Sequence, residues 1–188
     1  MRRAQAVKSD TLTLLELEHE RLGELLGVLE SELDDMERGR PYHHGLIGLS
    51  LEYLLDYPDA CHHPKEDLIA ARLELAADAA TGSDLQFDHQ RLHDFTQRVA
   101  DEFRSVEVEG AGAIAFATLL RGFIETYRGH IASENGHFFP TARRTLTQDD
   151  FDAIDFSVFD RPDPIVNVED KQRFAVLRQS IFASREEA

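Results

Sequence analysis

Apolar residues recur every three or four positions along most of the chain, the spacing that lines one face of an α-helix. The pattern predicts four long helical regions: Thr11–Arg38, Tyr42–Ala80, Asp84–Val106 and Ala113–Arg144. No stretch alternates apolar and polar residues in the way that a half-buried strand requires. The sequence therefore predicts an all-α protein.

Local signals predict where the first helix starts and stops and where the second region is interrupted. Asp10 or Thr11 is expected to cap the first helix, and residues 39–41 (Gly-Arg-Pro) are expected to end it. Pro58 and Pro64 lie inside the second region, and each removes a backbone N–H. We therefore expect this region to form two helical pieces or one strongly kinked helix.

The tail, residues 146–188, differs in pattern from the four long regions. Residues 147–150 (Thr-Gln-Asp-Asp) resemble a capping box with aspartate in place of glutamate, so a short helix is expected to follow. A last helix is predicted over Glu169–Ser184. We expect residues 1–145 to form a four-helix bundle, and the tail to be a C-terminal helical extension that packs on it.

Charge and composition exclude several classes of partner. The 188 residues carry a net charge of −16, which argues against nucleic acid or an anionic membrane, because both need a basic surface. No apolar run approaches the roughly 20 residues that span a membrane, and the first ten residues do not lead into the apolar core of a signal peptide. The single cysteine, Cys61, fits a reducing compartment. A cytoplasmic protein is therefore predicted.

The nine histidines are the compositional anomaly, because several occupy positions that the helical pattern reserves for apolar residues. Buried imidazoles and carboxylates are costly unless something compensates them. Every one of the four long regions contributes such groups. They are His19; His62 and Glu66; His89 and His93; and His130 and Glu134.

The spacing of these groups suggests metal ligands. Three of the four regions carry a pair at i and i+4, which stacks two side chains on one helix face. Imidazole with carboxylate suits iron, manganese or zinc, and seven ligands exceed the needs of one tetrahedral zinc. Alone, His19 is explained as a core histidine, and His62 with Glu66 as a surface ion pair. Because all four regions place such groups on their apolar faces, the sequence favours two metal ions bridged by the two carboxylates.

No catalytic residue is predicted beside these ligands. The sequence shows no general acid, nucleophile or phosphate loop there, which argues against hydrolysis. His63 is expected to point away from the site, since it follows His62 by about 100° around an α-helix. Cys61 is expected to be a small buried hydrophobe.

The order of these motifs resembles the hemerythrin family, in particular the bacterial hemerythrin-like (HHE cation-binding) proteins. The resemblance rests on Glu18-His19, His62-His63-Pro64-Lys65-Glu66-Asp67, Asp88-His89 with His93, and His130-Ile131-Ala132-Ser133-Glu134 followed by Phe138-Phe139-Pro140. It covers about residues 10 to 144. The resemblance implies an antiparallel four-helix bundle that encloses a non-haem di-iron centre, to which this chain adds C-terminal helices.

The resemblance also implies how the ligands divide between two iron ions bridged by an oxo or hydroxo oxygen. One iron takes His89, His93 and His130, the other takes His19 and His62, and both share Glu66 and Glu134. The second iron then keeps an open position for dioxygen. Oxygen-carrying members have an aspartate five residues after the last histidine, whereas Glu134 follows His130 by four. The longer glutamate is expected to restore the reach.

Three functions fit this centre. The leading hypothesis is a di-iron protein that binds dioxygen or a related small oxidant, nitric oxide or peroxide, for sensing, storage or defence. The second is a catalase-like enzyme that disproportionates hydrogen peroxide. The third is an iron sensor or donor whose tail reports metal occupancy to a protein partner. Oxygen evolution from peroxide separates the second hypothesis from the first, and the sequence leaves all three open.

Overall fold

A computed structural model of the chain describes residues 8–76, 80–105, 111–160 and 168–186. Within these ranges the chain is helical almost throughout and contains no strand, which confirms the all-α prediction. The α-helices are α1 (Asp10–Glu37), α2 (His44–Tyr57), α3 (His63–Leu75), α4 (Ala80–Ser105), α5 (Ala111–Ser133), α6 (Phe139–Thr145), α7 (Gln148–Asp155) and α8 (Val168–Glu186). In the same ranges, π-helical segments follow α2, α5 and α7: π1 (Pro58–His62), π2 (Glu134–Phe138) and π3 (Phe156–Asp160).

The first helix starts one residue earlier than expected. Its N-cap is Ser9, whose Oγ accepts a hydrogen bond from the backbone N–H of Leu12 at 3.1 Å. The same hydroxyl donates to Asp155 of α7 at 3.1 Å, so a contact distant in sequence selects Ser9. The predicted end is confirmed, because Gly39 follows the helix with φ of 63°, a left-handed conformation that glycine adopts without strain.

The interruption predicted within the second region is confirmed, and its form is a widened turn. π1 ends two residues before Pro64, and π2 ends two residues before Pro140. A proline ring lacks the N–H and clashes with the carbonyl four residues earlier, so the helix widens before it. The N–H that follows each segment bonds to the carbonyl five residues back. Pro140 predicts a bend or stop near the end of the fourth region, where π2 lies. α3 ends at Leu75 rather than at the predicted Ala80.

The long helices pack into a bundle whose core has two apolar clusters. α1 packs against α2 and α5, and α4 packs against α2, α3 and α5. On α1, one cluster ends at Leu15 and the other begins at Leu22. His19 therefore lies in a polar layer between two apolar ones.

The tail packs on this bundle. Phe151, Ile154 and Val158 of α7 and π3 join the cluster that contains Leu15, and α8 packs against α2. Thr147 and Asp150 form the predicted capping box at the start of α7. Within the described ranges, no helix combines the length and the apolar character needed to cross a membrane.

Candidate metal centre

Two groups of ligand-type side chains occupy the polar layer between the apolar clusters. Group A consists of His19, His62, Glu66 and Glu134, and group B consists of His63, His89 and His130. Within each group the ligand atoms lie within 4.8 Å of one another. The structure thus collects six of the seven residues that the sequence predicted and adds His63.

Glu66 lies between the two groups with one oxygen toward each. Its Oε1 lies 3.7 Å from Nε2 of His19 and 3.4 Å from Nε2 of His62, both in group A. Its Oε2 lies 3.3 Å from Nε2 of His89 in group B. A carboxylate in this position has one donor atom for each of two neighbouring cations.

Glu134 also directs one carboxylate oxygen toward each group. Its Oε2 lies 3.2 Å from Nε2 of His19, while its Oε1 lies 3.2 Å from Nε2 of His89 and 3.1 Å from Nε2 of His130. A glutamate four residues after His130 therefore reaches both groups, as the sequence predicted. Two carboxylates and five imidazoles converge on one layer.

Outer hydrogen bonds direct the imidazoles of group A. Nδ1 of His19 lies 3.0 Å from Oδ1 of Asn135, and Nδ1 of His62 lies 2.9 Å from Oε2 of Glu18. Both oxygens accept, so Nδ1 of each ring carries the proton and Nε2 turns a lone pair inward. The two Nε2 atoms are only 3.0 Å apart. Two facing lone pairs beside carboxylates need a cation or a proton between them.

The electrostatics of the layer favour positive charge. In the described part of the chain, both carboxylate oxygens of Glu66 are buried without a hydrogen bond. Burial acts to raise the pKa of Glu66, but His62 and His89 outweigh it and hold this pKa well below its ordinary value. Burial acts to lower the pKa of His62, but Glu66 and Glu18 raise it to about 10. The donor set therefore fits a metal cation, which supplies the positive charge that the carboxylates require.

The comparisons with known proteins agree with this geometry. The family model described as hemerythrin HHE cation binding domain matches residues 10–142. The chain belongs to this hemerythrin family. Searches of curated proteins and of solved structures found no match. The match spans every residue of groups A and B, so this cluster of histidines and glutamates lies within the matched cation-binding domain.

His63 is the member of group B that sequence reasoning missed in this hemerythrin-family chain. Its ring stacks on that of His89, with centroids 3.8 Å apart and planes 11° apart. Asp59 holds its Nδ1 at 2.9 Å, so Nε2 faces inward. The expectation that it points away was wrong, because the widened turn of π1 lets two adjacent residues face the interior. Pro64 was the signal that the α-helical rotation fails here.

His93 is the one predicted ligand that lies outside both group A and group B. Its side chain is 36% exposed, and its Nδ1 lies 2.7 Å from Oδ2 of Asp59. It lies one helical turn from His89 on α4, but His63 occupies the place beside His89. The geometry thus gives no support to His93 as a ligand, and it supports His63 instead.

A buried ion pair lies behind His62. Lys65 is 2% exposed and its Nζ donates to Oε1 of Glu18 at 2.8 Å and to the backbone carbonyl of Cys61. Glu18 thus holds His62 with one oxygen and Lys65 with the other. Burial and the nearby Glu18 carboxylate raise the pKa of Tyr57, so the phenol stays neutral. Sequence reasoning quoted Glu18 and Lys65 as motif residues but gave neither a role.

A pair of substitutions distinguishes His63 from His93. His63→Ala should weaken metal binding by at least about 100-fold, because even an outer partner of a ligand contributes about 10–100-fold. His93→Ala, the matched control, should leave the affinity unchanged. Competition with a chromogenic chelator measures both. The reverse result, with His93→Ala losing metal and His63→Ala keeping it, would contradict this ligand set.

Proposed function

We propose that the protein is a non-haem di-iron protein that binds dioxygen or a related small oxidant. The proposal rests on the orientation of two carboxylates. Glu66 and Glu134 each have one oxygen facing group A and one facing group B. Such carboxylates suit two neighbouring ions better than one. Imidazole and carboxylate donors in this proportion suit iron. His63, His89 and His130 would hold one ion, and His19 and His62 the other.

The residues around the centre define what it can do. When bound, the irons supply electrons to a small oxidant and a coordination position for it. Group A offers two imidazoles against three in group B, so the open position is proposed beside His19 and His62. Phe139 is fully buried and stacks on His19, with centroids 5.2 Å apart, so an apolar ring covers that side of the imidazole. Such a centre suits sensing, storage or defence against dioxygen, nitric oxide or peroxide.

Metal content and an absorption spectrum in air test the proposal together. Protein made in iron-rich medium should contain two iron ions per chain and show charge-transfer bands after exposure to air. One ion per chain, or zinc alone at full occupancy, would contradict the di-iron centre. Partial zinc or manganese from overexpression would not, since availability influences loading. Oxygen released from added hydrogen peroxide would identify a catalase-like enzyme instead.

A second candidate function is an iron sensor or donor that acts through a protein partner. It is favoured by the contact of Phe174, on α8, with Tyr53 and Tyr57, whose ring centroids lie 5.6 and 5.3 Å away. The Glu18 carboxylate, which raises the pKa of Tyr57, in turn holds His62. A short chain of contacts thus links the tail to a candidate ligand, and loss of metal at His62 would loosen α8.

The organisation of the chain is proposed on the same basis. Residues 1–145 would form an antiparallel four-helix bundle, and residues 146–188 a helical extension packed on it. The mutual packing of α1, α2, α4 and α5, and the contact of α8 with α2, support this division. The single cysteine, which is buried, supports a cytoplasmic location.

A further inference from the structure

A cavity of about 320 Å³ leads from the surface between α3 and α4 to group B. His63 and His89, two members of that group, line it. The side chains of group A, in contrast, are each 3% exposed or less. This cavity therefore gives the polar layer a direct opening to solvent on the side of group B.

Other side chains that line the cavity carry atoms of the kind that coordinate metal ions. Asp59 contacts His93 at 2.7 Å and His63 at 2.9 Å, so it joins an exposed imidazole to a buried one. Asp67 lies on the same wall, and within the described residues its Oδ1 is buried without a hydrogen bond. Carboxylate and imidazole donors thus follow one another from the surface to the centre.

A second cavity, of about 350 Å³, reaches His130 between α4 and α5, but its lining suits a cation less well. It contains the carboxylate of Asp88, which lies 3.7 Å from the guanidinium of Arg91, and the apolar side chains of Leu92 and Phe95. The guanidinium offsets the negative charge of this carboxylate, and the apolar side chains offer a metal ion no ligand. The two cavities therefore differ in chemistry although both open onto group B.

We propose that divalent metal ions reach and leave the centre through the cavity between α3 and α4, with His93, Asp67 and Asp59 as successive transient ligands. The proposal rests on the proposed dinuclear centre and adds its loading route. Carboxylates at the mouth of a cleft raise the local concentration of cations and so the rate of association. His93 then has a function that needs no place among the final ligands.

Removing a carboxylate charge from the cavity wall and measuring the rate of metal loading tests the proposed route. Metal-free protein is mixed with Co²⁺ in a stopped-flow instrument, and the visible absorption of bound cobalt is followed to completion. Asp67→Asn should slow loading by about tenfold, within the range of electrostatic steering, and should keep the final stoichiometry of two. Asp88→Asn is the matched control, because it removes the same charge from the wall of the second cavity.

A bulky substitution that obstructs the cavity provides a second, steric test of the route. Gln90 lines the first cavity, and its exposed position tolerates a larger side chain. Gln90→Phe should slow cobalt loading and its removal by chelator by the same factor, because a blocked path changes both rates without changing the bound state. Thr126→Phe places the same ring in the second cavity and should change neither rate.

The outcomes are separable. Loading at the unmodified rate in Asp67→Asn and Gln90→Phe, with two cobalt ions bound, would overturn the route and leave the dinuclear centre standing. Slower loading in Asp88→Asn and Thr126→Phe alone would assign the route to the second cavity and also overturn the proposal. If the unmodified protein does not bind two ions, the centre and its route are refuted together.

Discussion

Removing the metal is expected to lower the melting temperature of the protein by roughly 8–16 °C. Without metal, the polar layer holds two buried carboxylates among five imidazoles, and it must retain protons or admit water. A cation that binds only the folded chain stabilises it by about 4 kcal/mol at a thousandfold excess over its dissociation constant. For a protein of this size, about 1 kcal/mol corresponds to about 2–4 °C.

Thermal melts of native, chelated and reloaded protein at one pH measure this effect. Metal analysis must confirm the loss, and reloading should restore the native value. The chelated bundle should loosen rather than unfold, because the apolar clusters on both sides of the layer remain. Amide hydrogen exchange should then rise in α8 as well as around the centre. Equal melting temperatures with metal loss confirmed would show that these residues are not a buried metal site.

Lys65→Met is expected to destabilise the protein by about 3–5 kcal/mol, the usual cost of breaking a buried ion pair. Lys65 is 2% exposed, and its ammonium is the cation that faces Oε1 of Glu18 at 2.8 Å. The methionine fills the same space but leaves a buried carboxylate without its positive partner. Glu18 also holds His62, so the disturbance reaches a candidate ligand.

Arg128→Ala provides the matched control for the Lys65 substitution. It deletes the cation of an exposed pair, in which two guanidinium nitrogens donate to Glu30 at 2.9 and 2.7 Å. Exposed pairs contribute at most about 1 kcal/mol. Urea unfolding of both variants measures the difference, and Lys65→Met combined with Glu18→Gln should recover part of the loss. If Lys65→Met costs no more than Arg128→Ala, the buried pair is not a stabilising element.

The parts of the centre that follow local helical geometry were predictable from sequence. His62 with Glu66, and His130 with Glu134, could be paired because residues four apart share a helix face. His19 could be found because it fills a gap in a leucine stripe. These inferences need only the α-helical period, and that period holds over most of the chain.

The parts that sequence reasoning missed depend on contacts across the fold or on a broken period. The choice of Ser9 as N-cap involves Asp155, 146 positions away, and the pair of Glu18 with Lys65 spans 47. The presence of His63 in group B, where an α-helix would turn it away, follows from one widened turn. A proline in the sequence predicts that irregularity but does not show which side chain will face the interior.

The widened turns before Pro64 and Pro140 have a consequence for how such a centre can evolve. A π turn accommodates one residue more than the α-helix on either side of it. A single-codon insertion at such a turn can therefore bring a new donor to the metal layer while both flanking pieces keep their packing register. The set of metal-ligand side chains in this bundle can therefore change through single-residue insertions. The apolar core need not repack, as it would if a whole helix moved.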